Sequence, residues 1–206
     1  MTSLPSSVLF ERTGSPSDVT LNWFGHPVGR TYTFAGEYWR AAKMIVQASS
    51  AEELRDIGAC PVVFLYRHSL ELYLKEILFT GGVLISQSAD PRDVPKLGHD
   101  LEKLLNSCDE ILRAAGATDA LASVAPTIRE FSRTDAGSFA FRYPVDRLGN
   151  QSLKGNARQP LSSNDFSFNL DVFCTRMDAV LNTLDSLCHA VETTVALMRE
   201  EHAHQF

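Results

Sequence analysis

Along most of this chain the apolar positions recur at a spacing of three and four, the period of a helix with one buried face. Phe34, Tyr38, Ala41, Ala42 and Ile45 predict a first helix over about 33–49. Ser49-Ser50-Ala51-Glu52-Glu53 has the form of a capping box, Ser50 being the cap and Glu53 the residue three positions on, and predicts a short helical turn. From Val62 to Leu78 nearly the whole circumference is apolar, which places a second helix at the centre of the protein. Pro61 suits its first turn, and Gly81-Gly82 is expected to end it. Leu101, Leu104, Leu105, Cys108, Ile111 and Leu112 mark a third helix, opened by Gly98-His99-Asp100 and stopped at Gly116. A weaker fourth covers roughly 118–133, interrupted or started near Pro126.

The clearest period comes last. Leu170, Phe173, Met177, Val180, Leu184, Leu187, Val191 and Met198 keep the spacing and skip only Thr194. They predict one helix from about 164 to 200, on the order of 50 Å long, capped by Ser162, Ser163 or Asn164. Between 138 and 160 the helical period is lost. Phe139, Phe141 and Tyr143 alternate there, which predicts a short strand or hairpin. Residues 1–32, with three prolines and three glycines, read as an irregular N-terminal arm whose Leu21-Asn22-Trp23-Phe24 docks on the body. The expected fold is all-α. It is a bundle of about five helices over 33–206, with a long C-terminal helix and an extended or hairpin insertion near 138–160.

Composition narrows the function. A chain of 206 residues, 44% hydrophobic and 21% charged, is an ordinary soluble globular domain. A net charge of −6 argues against a broad basic face for duplex DNA but leaves room for a small basic pocket. No apolar run reaches the length of a membrane span and no secretory pattern opens the chain, so no membrane association and a cytoplasmic location are expected. Cys60, Cys108, Cys174 and Cys188 are scattered without a Cys-x-x-Cys pair and read as small buried hydrophobes. Gly-rich phosphate loops, Gly-x-Ser-x-Gly and His-Glu-x-x-His are absent, and no cofactor is expected.

The candidate chemistry sits on the second helix. At about 100° per residue, Arg67, Glu71 and Lys75 stack on one stripe with His68 beside them. In a buried helix such charges must be paired or must face a cleft. They form either an i,i+4 ladder holding helices together or a ligand-binding stripe, with His68 as a candidate catalytic base. Asp100 reads as a helix cap, and His99 is a catalytic candidate if it converges on Arg67 or His68. Arg142 interrupts the aromatic alternation outside any helix. It either clamps a phosphate or carboxylate, or pairs with Glu71, Asp135 or Asp146. Asp171, Asp178, Asp185 and Glu192 recur every seven residues on the last helix and read as a solvated face, not as a metal site.

Tyr66-Arg67-His68-Ser69-Leu70-Glu71-Leu72-Tyr73-Leu74-Lys75, followed a loop later by Gly98-His99-Asp100-Leu101-Glu102-Lys103-Leu104, resembles the bacterial HEPN-like proteins. Phe141-Arg142-Tyr143-Pro144, with Asp146 and Gly149 behind it, is similar to members of the same group, and the resemblance covers roughly 35–200. It implies a small helical bundle, often dimeric, in toxin–antitoxin and antiviral systems. Many members cut RNA, while others bind nucleotides or serve as non-catalytic partners. The ribonuclease members carry an Arg, then four to six residues, then a His, typically at the start of the last helix. Here the match is Arg199-Glu200-Glu201-His202-Ala203-His204, at the far end of that helix.

The expectation is therefore a HEPN-like defence or toxin–antitoxin component that binds or acts on RNA or a nucleotide, with an antitoxin or defence protein as partner. The alternatives are a non-catalytic scaffold and a nucleotide-binding accessory domain of a nucleotidyltransferase. A homodimer is expected as well. The last apolar stripe runs over roughly 30 residues, longer than the roughly 15–20-residue helices available to cover it.

Overall fold

The computed structural model describes residues 14–16, 30–55, 58–85, 98–146, 148–153 and 166–203. Within them the helical period becomes five helices: α1 (Arg30–Ala48), α2 (Ala59–Gly81), α3 (Leu101–Ala114), α4 (Thr118–Thr134) and α5 (Leu170–Ala203). The described residues contain no strand, only one isolated antiparallel bridge between Val145 and Gln151. The docking segment Leu21–Phe24, the caps Ser162, Ser163 and Asn164, and His204 lie outside the described residues.

α2 is the central helix, touching α1, α3 and α5. Its Val62, Val63, Tyr66, Leu70, Tyr73, Leu74 and Ile77 are each exposed by 1% or less, as a helix apolar all round requires. Gly81 is its last residue and Gly82 its C-cap, so the glycine pair ends it as expected. The backbone stays right-handed through Gly82 and continues as a 3-10 turn, Gly82–Ile85. Gly81 also serves close packing: a Cβ there would collide with Ile111 Cγ2 of α3 and stand 2.9 Å from Val191 Cγ1 of α5.

The capping box forms as read, with Ser50 N–H donating to Glu53 Oε2 (2.7 Å) and Glu53 N–H donating to Ser50 Oγ (3.2 Å). α3 opens on Asp100, whose carboxylate accepts from the N–H groups of Glu102 and Lys103 (both 3.1 Å), and stops at Gly116 in the left-handed conformation (φ 70°). α4 runs unbroken through Pro126. Its missing N–H costs one backbone bond, and Val124, Ala125 and Ile128 stay buried around it. α5 begins at Leu170, the first position of its apolar pattern and later than the expected start near 164. Asn169 is its cap, Oδ1 accepting from Val172 N–H at 2.9 Å.

The stripe of α5 is covered by its own chain. Met177, Val180, Leu184, Leu187, Val191 and Val195 are each exposed by 3% or less, mainly against α2 and α4. The wet apolar patch that called for a second copy does not exist along this stretch, so α5 gives no ground for a homodimer. No described helix is long and apolar enough to cross a membrane.

The alternating aromatics after α4 do not make a strand. Arg142 N–H and Tyr143 N–H both turn back to the Phe139 carbonyl (3.0 and 3.2 Å). The cause is Asp135, whose Oδ1 accepts from the N–H groups of Phe139 (2.6 Å) and Ala140 (3.0 Å) and curls the chain. The hairpin survives only as a tight loop beyond it, closed where Ser152 N–H donates to the Pro144 carbonyl (3.0 Å).

Candidate functional site

Arg67, Glu71 and Lys75 of α2 form one buried ionic cluster with Asp135 and His99. Arg67 is fully buried, and its fork is used on three elements. Nη1 donates to Glu71 Oε2 (2.8 Å), Nη2 to the His99 carbonyl (2.6 Å), and Nε and Nη2 to the Asp135 carbonyl (3.3 Å each). Asp135 is the C-cap of α4 and His99 precedes the cap of α3, so one guanidinium fastens α2 to the ends of both neighbours. Asp135 Oδ2 lies 3.2 Å from Arg67 Nε, an ion-pair contact that is not aligned as a hydrogen bond.

Glu71 Oε1 receives Lys75 Nζ (2.7 Å) and His99 Nδ1 (2.8 Å). Burial opposes the ionised carboxylate, but the hydrogen bond and charge of Lys75, with hydrogen bonds from His99 and Arg67, outweigh it. Its pKa is held below the ordinary glutamate value. A carboxylate only accepts, so His99 Nδ1 carries the hydrogen of that bond and Nε2 is the remaining acceptor of the neutral ring. The His99 side chain is 62% exposed. An imidazole oriented from behind by a buried carboxylate is the arrangement of a general base.

His68, one residue from Arg67, belongs to a different environment. Its ring meets Tyr38 edge-on (centroids 4.4 Å apart) and lies parallel to Phe64 (5.8 Å), with no hydrogen bond to any described residue. Burial lowers its pKa below the ordinary histidine value, and Lys75, Arg67 and His99 add to this against the pull of Glu71. At neutral pH it is an uncharged ring.

Arg142 extends this row. Its guanidinium lies 5.5 Å from the Phe64 centroid and 5.6 Å from that of Tyr143, and Tyr143 stacks on Phe139 (4.5 Å). At the other end Tyr38 stacks on Phe34 (6.5 Å). The result is a continuous array of Phe34, Tyr38, His68, Phe64, Arg142, Tyr143 and Phe139. Arg142 is exposed, and none of Glu71, Asp135 and Asp146 pairs with it. Nε donates to the Ser138 carbonyl at 2.5 Å. Ser138 is the one described non-glycine residue in the left-handed region (φ 58°), a strained position buried beneath the guanidinium.

The expected ligand stripe thus divides. Arg67, Glu71 and Lys75 are consumed by pairing, His99 joins them at the surface, and His68 and Arg142 meet through Phe64. Arg199 is exposed near the end of α5, remote in sequence from every contact of this cluster. Of the acidic heptad positions, Asp171 and Glu192 are exposed as a solvated face requires, but Asp178 and Asp185 are half-buried. Asp178 accepts from Trp39 Nε1 (2.6 Å) and Tyr66 Oη (2.9 Å), and Asp185 from Tyr73 Oη (3.1 Å). These carboxylates tie α5 to α1 and α2. Among the described residues no group of side chains is arranged to hold a metal ion. Sequence reading missed Phe64, Tyr38 and Asp135. The aromatic pair at i,i+4 on α2 (Phe64 and His68) was the available signal for the first. Comparison with protein-family models, curated proteins and solved structures finds no match to this chain.

Proposed function

We propose that this chain is a HEPN-like helical module that binds single-stranded RNA or a free nucleotide on the row formed by Tyr38, His68, Phe64, Arg142 and Tyr143. The observation that carries the reading is Arg142: an exposed guanidinium without a carboxylate partner among the described residues, lying over two aromatic rings. Unpaired bases stack on such faces for about 1–3 kcal/mol each, while a guanidinium takes the phosphate between them. Stacking needs few cations, which reconciles nucleic-acid binding with a net charge of −6. The defence or toxin–antitoxin setting rests on the sequence resemblance.

Fluorescence anisotropy with a short labelled RNA, single-stranded and then annealed to its complement, tests this. The single strand should bind saturably and the duplex should not. Arg142→Ala should weaken binding at least about tenfold, roughly 1.4 kcal/mol. If neither the single strand nor a mononucleotide binds, the proposal fails.

One observation favours a second reading, in which the module also cuts RNA. In that reading His99, held through Nδ1 by Glu71 and open to solvent, takes a proton from an attacking hydroxyl. His99→Ala would then abolish cleavage and leave binding intact. A bound RNA that stays whole leaves a non-catalytic binding module.

A further inference from the structure

Between the C-terminal half of α4 and the N-terminal part of α5 lies a wedge lined by phenylalanine. The cavity has a volume of about 200 Å³. Its floor is Val63, Phe131, Phe141 and Met177, all buried, and Phe166 and Phe173 make its half-buried wall. Phe131, Phe141, Phe166, Phe168 and Phe173 are linked in a chain of tilted and edge-to-face contacts with centroids 5.6–6.1 Å apart. A site walled by ring faces and edges is complementary to another ring. Apolar holes of roughly 150 Å³ stay dry and take up benzene, so this one has room for a six-membered ring.

The rim is charged, and with both signs. Glu130 of α4 and Arg176 of α5 stand on the helices that form the two sides of the cavity. Neither is ion-paired with the other or with any other described side chain, although both border the same opening. Asn169 borders it as well, with Oδ1 already committed to the α5 cap.

The geometry points to a small-molecule site for an aromatic amino acid: the ring enters the phenylalanine wedge, its carboxylate meets Arg176 and its ammonium meets Glu130. An aromatic amino acid uses the apolar interior and both rim charges together. The site is independent of the RNA-binding row, and nothing in it needs that proposal to hold.

The test is calorimetric titration of the full chain with L-phenylalanine, phenylacetate and benzylamine, with thermal denaturation alongside. L-phenylalanine should bind saturably and raise Tm as its concentration passes Kd. Phenylacetate and benzylamine, each lacking one charged group, should bind at least about tenfold more weakly. Arg176→Gln should weaken L-phenylalanine about tenfold or more without changing benzylamine, and Glu130→Gln should do the same without changing phenylacetate. Val172→Trp, which fills the exposed lip, should abolish binding while leaving Tm in the absence of ligand unchanged or higher. Equal binding of all three probes would show an unselective apolar hole and overturn the amino-acid assignment. No saturable binding of L-phenylalanine, or full binding to the folded Val172→Trp protein, would overturn the site.

Discussion

Arg67 and His68 are adjacent in sequence and do opposite things. Arg67 is fully buried and spends its donors on Glu71, His99 and Asp135, whereas His68 makes no hydrogen bond to a described residue and offers an uncharged ring to Tyr38 and Phe64. The 100° step of the helix separates them: Arg67, Glu71 and Lys75 face the ends of α3 and α4, while Phe64 and His68 face the aromatic row. A paired buried charge is structural, because removing either partner strands the other in a medium that cannot solvate it. An unpaired surface cation over aromatic rings costs the fold little and is available to a ligand. Asp135 joins the two regions. It is held by Arg67 and in turn holds the turn that delivers Ser138 and Arg142.

The largest effect that would break this contrast is at Glu71. Glu71→Ala leaves buried Lys75 without its counter-charge and Arg67 with Asp135 alone, and should destabilise the protein by about 3–5 kcal/mol. For a chain of this size that lowers Tm by roughly 6–20 °C. Arg142→Ala should change stability by less than about 0.5 kcal/mol while impairing RNA binding. Urea denaturation of both variants decides the matter. Comparable losses in the two would erase the distinction between a structural cluster and a binding row.

A smaller effect tests the link through Asp135. Arg67→Lys keeps the charge but loses the fork, and with it the simultaneous reach to Glu71, His99 and Asp135. Losing buried hydrogen bonds of this kind should cost about 1–3 kcal/mol. Hydrogen exchange at the amides of Phe139 and Ala140 should quicken, and RNA affinity should fall although Arg142 itself is unchanged. If these amides stay protected, the buried cluster does not position the surface row.

The bundle was legible in the sequence because burial on helices leaves a period. The stripe of α3 is buried residue for residue, Asp100 caps its start and Gly116 stops the chain just beyond its end as read. One signal misled for a physical reason. Phe139, Phe141 and Tyr143 alternate like a strand, but the side chain of Asp135 outcompetes any ladder for the Phe139 and Ala140 N–H groups. Gly81-Gly82 ends α2 as the sequence predicts, but the close approach of α3 and α5 to Gly81 left no local pattern. At the site, the i,i+4 ladder was visible from spacing alone. Which carbonyls Arg67 would satisfy was not, because Asp135 is 68 residues away and no local pattern encodes a contact across the fold.

The carboxylates of α5 offer an intermediate case, polar groups that read as surface and act between helices. Asp185→Ala should leave the hydroxyl of Tyr73, a residue only 1% exposed, without its acceptor. The expected loss is about 1 kcal/mol, near the low end for an orphaned buried group, because Asp185 is half-buried and water can follow. A solvated face would show no change. Chemical denaturation resolves a difference of this size if the slope with denaturant is unaltered.

The smallest effect lies in the pH dependence, and it isolates His68. A histidine whose folded pKa is depressed binds fewer protons in the native state than in the unfolded one just below pH 6.5. Its contribution to stability is therefore complete above the unfolded value near 6.5 and is lost as pH falls through the lower folded value. Glu71 has the same sign at a more acid position, its depressed pKa making stability fall only below about 4.5. His68→Phe keeps a ring between Tyr38 and Phe64 and removes the titration. Wild type should lose stability relative to this variant as pH goes from 7 to 5, and the gap should stop widening once His68 is protonated in both states. Parallel curves over that range would mean that His68 titrates alike folded and unfolded. The ring would then be as open to water as His99, and the aromatic row would lose the half-buried, uncharged surface that makes it a stacking platform rather than a scatter of exposed side chains.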